Sequence, residues 1–359
     1  MADSWVLATL RFLKRCSICA FLLLVVARFS AKPAAQSSAN RVDTLIHSGQ
    51  AALDSGDLTR AVDAFEQARR LAPDNLQVNR GLVLSYLQAG RLVEATEIGQ
   101  SAVKIWPRDA QLQHWLGLAY FKQGSNDAAL EALERAEQLD RNGFDIHFDI
   151  ALVQLAQSQY SAAADELEQA IRIKPSTPTA RILLGRAYLN SNRTLQAIEQ
   201  FQAALRLDPS VRLGHYHLGF AYASLGRNEE AIAEYEKEKA RSPEDPEVLY
   251  QLGHCLLEAG NRETAIANLR KATELDPRRF DAAYDLGKAM FLDGQTEAAI
   301  LFLRRAVELQ PDDPSPHYQL ARALDKLGQK NEAHLEWQRF AELKRLQPQS
   351  GGMASGRVH

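Results

Sequence analysis

Cysteine is scarce, with three in 359 residues: Cys16, Cys19 and Cys255. Only Cys255 falls between Val42 and Gln347, so that stretch can form neither an internal disulfide nor a cysteine-based metal cluster. Cys16 and Cys19 have CxxC spacing but sit in an apolar run, with no strand–helix–strand pattern around them to suggest redox chemistry. Neither sign of charge dominates: 42 Lys and Arg stand against 45 Asp and Glu, and the part after residue 35 is net acidic. That balance argues against nucleic acid as a partner, because phosphate contact needs clustered Lys and Arg. No GxSxG, Walker loop, HExxH or array CxxC is present, so no catalytic role and no cofactor is expected.

Long apolar runs are also missing, apart from one near the start. Arg11, Lys14 and Arg15 precede twelve apolar or small residues, Cys16 to Ala27, and Arg28 closes the run. Basic residues before a short apolar core read as an export signal, and twelve residues are few for a membrane span. The sequence therefore predicts a signal or membrane anchor over residues 1–35, with residues 16–27 as the anchor if it is not cleaved. Either form places the rest of the chain outside the cytoplasm, in the periplasm or secreted. A linker is expected over 36–41 and a disordered tail over 348–359.

What the chain has in abundance is a period. Alanine recurs every 34 residues at Ala61, Ala95, Ala129, Ala163, Ala197, Ala231, Ala265, Ala299 and Ala333. Proline keeps the same period at Pro73, Pro107, Pro175, Pro209, Pro243, Pro277 and Pro311, broken only by Arg141 and Arg345. A small residue recurs at Gly49, Gly117, Ala151, Gly185, Gly219, Gly253, Gly287 and Ala321, with Val83 the exception. A second glycine column has Ser158 and Asn192 as its exceptions. Between these marks apolar residues are spaced by three and four on both sides of a Gly turn, as in Leu249, Leu252, Leu256, then Ala265, Leu269, Ala272. That spacing predicts two amphipathic helices per period, closed by proline. One such hairpin cannot bury its apolar face alone, so the units must stack.

The pattern resembles the tetratricopeptide repeat. One unit carries the signature as Leu116, Gly117, Tyr120, Ala129, Leu133, Ala136; another as Leu184, Gly185, Tyr188, Ala197, Phe201, Ala204, Pro209. The resemblance covers residues 42–347 and implies an all-α fold, a right-handed superhelical solenoid of about nine helix-turn-helix repeats. It also implies a non-catalytic scaffold for protein–protein interaction. Three positions depart from the pattern in the second helices. Glu238 and Phe340 replace an alanine, and Gly99 replaces a large residue. An unpaired carboxylate buried at Glu238 would be costly, so Glu238 is expected to reach solvent or to meet a cation, with Arg241 the nearest choice.

His215, His217 and His254 invite a metal reading. Residues two apart on a helix point in different directions, and spacing places no carboxylate beside them. A structural role is expected, and His147, His215 and His317 share one repeat column.

In the resembling family the first helices line a concave face. Tyr216, Tyr250, Tyr284 and Tyr318 form a ladder there, and Phe220, His254, Lys288 and Arg322 follow four residues later. That half of the face reads as aromatic and partly cationic. In earlier repeats the second column is Leu84, Leu118 and Leu152, an apolar stretch. These eleven residues are the expected partner-binding set, for a peptide or partner protein. The column has no Asn, which argues against the carboxylate-capturing groove that some members of the family use for chaperone tails. An alternative role is a structural subunit of an envelope secretion, export or assembly machine.

Overall fold

A computed structural model of the chain describes residues 39–346. The expected signal or anchor and the expected tail lie outside the described residues. Eighteen helices and no strand occur among them. The first helix, α1, spans 39–55 and so begins inside the expected linker. Seventeen more follow, from α2 (Leu58–Leu71) to α18 (Lys330–Leu346). No helix among the described residues is long and apolar enough to cross a membrane.

The chain divides into two compact units, one running to Gln157 and the other starting at Ser158. The first holds α1 to α7 (Phe144–Ala156), and the second α8 (Tyr160–Ile173) to α18. Inside each unit every helix packs on the next in sequence. Odd-numbered helices also touch the next odd helix, such as α3 (Leu76–Gln88) with α5 (Ala110–Lys122) and α13 (Pro246–Glu258) with α15 (Phe280–Leu292). The odd helices thus form an inner layer and the even helices an outer one.

The small-residue column makes this layering possible. A Cβ on Gly185 would meet the Phe201 ring at 2.4 Å, and one on Gly253 would meet Leu269 at 2.6 Å. The glycine of the first helix is therefore the socket for the large residue of the second, and Phe201 and Leu269 are fully buried. The hairpin turn needs a left-handed residue, which Gly260 supplies with φ 84°. Where the glycine is missing, Ser158 and Asn192 take φ 60° in its place.

Four inner helices are capped by the residue two after the proline column, whereas Gly143, Thr177 and Arg279 stand there without a side-chain cap before α7, α9 (Pro178–Asn190) and α15. Asn75, Asp109, Asp245 and Asp313 each accept a backbone N–H of the first helical turn. The equivalent position before α11 is Val211, which cannot. There the chain runs on to Leu213, which is left-handed at φ 58°, and α11 (Gly214–Ser224) is shortened to 11 residues against 13 in α9 and α13.

Candidate interaction face

Four of the predicted aromatic positions lie on α11, α13, α15 and α17 (Pro314–Lys326), all inner-layer helices of the second unit. Tyr216, Tyr250 and Tyr284 are half-buried, whereas Tyr318 is exposed at 36%. The first three are therefore built into the wall. Tyr216 rests against Phe220 and the fully buried Tyr235, at 6.5 and 5.9 Å between centroids. Tyr284 stacks on Phe280 at 6.0 Å. Burial pushes the phenols of Tyr216, Tyr250 and Tyr284 above the usual range.

The expected cationic stripe is largely neutralised by acids that the column reading did not include. Tyr216 Oη donates to Glu247 Oε1 at 3.1 Å, and Glu247 is in turn paired with Arg279 at 2.5 Å. The Arg279 guanidinium lies 4.5 Å over the Tyr250 ring, a cation–π contact. His254 Nδ1 meets Asp285 Oδ2 at 2.7 Å, and this bond raises the imidazole above its ordinary value despite burial. Lys288 Nζ donates to Glu258 Oε1 at 3.1 Å. Only Arg322 of the four in the second column is a cation without a carboxylate. It lies 5.1 Å over Phe291 and 5.5 Å over Tyr318, and Lys326 approaches the same Phe291 ring at 5.2 Å. Neither Arg322 nor Lys326 forms an ion pair among the described residues. The partners had a legible signal: Tyr216–Glu247 and His254–Asp285 are each 31 residues apart, one repeat less a helical turn.

Leu84, Leu118 and Leu152 lie on α3, α5 and α7 of the first unit and are half-buried. Leu84 and Leu118 pack with Trp115 against the core around Phe65 and Leu82, and Leu87 is buried there. The apolar stretch is thus partly covered by its own repeats.

The three histidines of the metal reading go to three different neighbours. His215 Nδ1 meets Glu234 Oε2 at 2.6 Å, and His254 meets Asp285. Carboxylates are thus beside two of them, against the expectation from spacing, because the contacts cross helices 19 and 31 residues apart. His217 is buried and stacks on Phe201 at 5.6 Å. Burial first, and then the Arg186 charge, push its pKa down to about 4. The shared column behaves as packing: His317 is buried and bridges Glu336 and the Pro311 carbonyl, and His147 is buried beside the Arg141 carbonyl.

Glu238 is 3% exposed, so it does not reach solvent, and Arg241 is not its partner. Arg241 donates to the Ser210 carbonyl at 2.6 Å, while Glu238 Oε2 accepts the backbone N–H of Tyr216 at 3.3 Å.

An α-helical hairpin repeated at 34 residues with a Gly socket and a proline stop defines a helical solenoid. The chain belongs to the tetratricopeptide repeat family: the tetratricopeptide repeat model matches residues 48–110, 182–246 and 250–314, a TPR repeat model matches 117–158, and a further tetratricopeptide repeat model matches 302–334. No curated protein matches the sequence significantly. Among solved structures, PilF of Pseudomonas aeruginosa is similar at 15% identity and a TM-score of 0.53, covering 62% of this chain and 99% of PilF. A tetratricopeptide repeat protein of Parabacteroides merdae is similar at 18% identity and a TM-score of 0.50, covering 70% and 99%. A chain of the APC/C hetero-tetramer Cut9–Hcn1 is similar at 17% identity and 0.51, covering 74% of this chain and 52% of that one. At these identities the likeness is one of fold.

Proposed function

We propose that the protein is a non-catalytic interaction scaffold that holds a peptide or partner protein on the inner face of its odd-numbered helices. The observation that supports this most directly is the row Tyr216, Tyr250, Tyr284 and Tyr318. It ends at Arg322 and Lys326, two cations over one aromatic ring with no carboxylate of their own. Tyrosine offers a large rigid surface at low entropic cost, and an Arg whose side-chain partner is the neutral Gln319 suits a carboxylate-bearing side chain. The peptide reading therefore centres on the exposed Tyr318 end of the row.

The basic-then-apolar leader supports export, with the repeats periplasmic or secreted and residues 16–27 as the only membrane contact if uncleaved. The alternative role, a structural subunit of an envelope secretion, export or assembly machine, is favoured by exposed leucines on the outer layer, Leu301 at 66% and Leu335 at 63%. Selection from a displayed peptide library separates the two roles. The scaffold reading expects enriched peptides whose binding is lost in Tyr318→Ala/Arg322→Gln, and selection of nothing beyond background would overturn it. A reporter active only after export, fused behind residues 1–40, tests location; activity confined to the cytoplasm would remove that part.

A further inference from the structure

The outer layer carries a change of character that the inner face does not explain. One position in each even-numbered helix points to solvent throughout. In the first five it is a carboxylate: Asp63, Glu97, Glu131, Asp165 and Glu199, all exposed. In the last four it is Ala233, Ala267, Leu301 and Leu335, also exposed. The two leucines stand 66% and 63% free of the protein. Single exposed apolar residues occur elsewhere on this layer, Val93 at 62% and Leu195 at 66%, but an acidic row that turns apolar over four consecutive units marks a surface that meets something.

The rows on either side say what it meets. One helical turn before the apolar row, on the same helix face, stand Glu229, Glu263 and Glu297, all exposed and in no ion pair among the described residues. One turn after it stand Lys237, Lys271, Arg305 and Arg339. Glu before Lys along a helix agrees with the helix dipole, but the dipole gives no reason for leucine between them. Three of the four basic residues hold ion pairs within the chain, each with the basic side chain still partly exposed, and Lys271 holds none among the described residues. Lys271 and Arg305 donate to the Pro243 and Pro277 carbonyls, Lys237 pairs with Glu234, Arg305 with Glu308, and Arg339 with Asp312 and Glu342.

A face banded acidic, apolar, basic is complementary to itself. If a second such face is laid on it by a two-fold axis running along the bands, the apolar row meets the apolar row and each acidic row meets a basic one. An axis across the bands would instead set acid on acid. We infer that the outer face of α12 (Asn228–Arg241), α14 (Arg262–Leu275), α16 (Thr296–Leu309) and α18 is a docking surface for a second copy of this chain. The two copies lie parallel, with Leu301 on Leu301 and Leu335 on Leu335.

The test is sedimentation of the full chain, in mild detergent to keep the leader soluble, with row-reversed variants. The wild type is expected to associate reversibly as a dimer. Leu301→Asp/Leu335→Asp is expected to weaken association at least about thirtyfold, as loss of a central apolar contact does. Glu263→Lys/Glu297→Lys is expected to weaken it through like charge. Adding Lys271→Glu/Arg305→Glu to that variant is expected to restore it, because exchanging both rows keeps the face self-complementary. A monomer at all concentrations, a dimer that survives the aspartate pair, or a fourfold variant that stays monomeric would each overturn the proposal. Circular dichroism of each variant separates lost pairing from lost folding.

Discussion

Glu238 caps a helix it does not belong to. Its carboxylate, buried on α12, accepts the N–H of Tyr216, the third residue of α11. In other repeats the same helical position is served from in front: Asn75 accepts from Val78, Asp109 from Leu112 and Asp245 from Val248. Val211, at the column of those caps, has no side-chain acceptor, and Glu238 from the following helix supplies one. Glu238→Ala is therefore expected to lose about 1–2 kcal/mol, the usual cost of a lost N-cap, and Glu238→Gln, which keeps an acceptor, less. Urea denaturation measures both. A neutral or stabilising alanine would show that the carboxylate is only tolerated there.

Two departures from the repeat pattern compensate each other. Glycine on the first helix normally receives a large residue of the second, as Gly117 receives Leu133 and Gly219 receives Tyr235. In the second repeat the sizes are exchanged, with Val83 at the glycine position and Gly99 at the large one; Val83 is fully buried and Gly99 receives Leu116 instead. Val83→Gly is expected to cost about 2–4 kcal/mol, combining a cavity with a glycine inside a helix. Val83→Gly/Gly99→Leu is expected to recover at least half of that loss. If the double variant is worse than the single one by denaturation, the two positions are not exchangeable.

The period, the hairpins and the two glycine columns were legible because each leaves one residue type at one spacing. What escaped were contacts between columns. Glu238 was read against Arg241, its neighbour along the helix, yet its donor lies 22 residues earlier in another helix. The column of Phe220, His254, Lys288 and Arg322 reads as partly cationic because a column shows one face of one helix, and the acids of Lys288 and His254 lie on others. Their acids, Glu258 and Asp285, come from the adjoining inner helices at offsets of 30 and 31. Charge complementarity searched at those offsets would have found them.

Two histidines of the second unit oppose each other in pH dependence. His217 has its folded pKa depressed to about 4 from an ordinary 6.5. Between those values the unfolded chain binds a proton that the folded chain does not, so stability falls as pH drops through that window. His254 is raised by Asp285, so its contribution is full below the unfolded value and is lost as pH rises through the folded one. His217→Phe, which keeps a ring to stack on Phe201, is expected to remove about 2 kcal/mol of the loss between pH 8 and pH 5. His254→Gln is expected to be more damaging at pH 5 than at pH 8. Denaturant midpoints at the two pH values measure both, and equal effects at both would contradict the assignment.

The inner face makes a graded prediction because its residues differ in how far they are already committed. Tyr250 is covered by Arg279 and lies 6.0 Å from the His254 ring, and Tyr216 is bonded to Glu247. Alanine at Tyr216 or Tyr250 removes packing, so it should lower the melting temperature whether or not a ligand binds. Lys288 is already paired with Glu258, so Lys288→Gln should change peptide affinity less than about twofold. Tyr318 and Arg322 are different. Tyr318 is exposed and contacts Trp337 and Phe340 edge-on or tilted at 5.4 and 5.3 Å, while the half-buried Arg322 lies over Phe291 and donates to Gln319. An aromatic anchor beside an Arg is the kind of pair that dominates binding energy. Tyr318→Ala/Arg322→Gln is therefore expected to weaken a library-selected peptide roughly thirtyfold, with a smaller fall in melting temperature than Tyr216→Ala or Tyr250→Ala. Fluorescence anisotropy reads the first quantity and differential scanning calorimetry the second. Equal losses from Lys288→Gln and from the Tyr318/Arg322 pair would mean that the ligand breaks the internal ion pairs and that Tyr318 and Arg322 are not its main anchors.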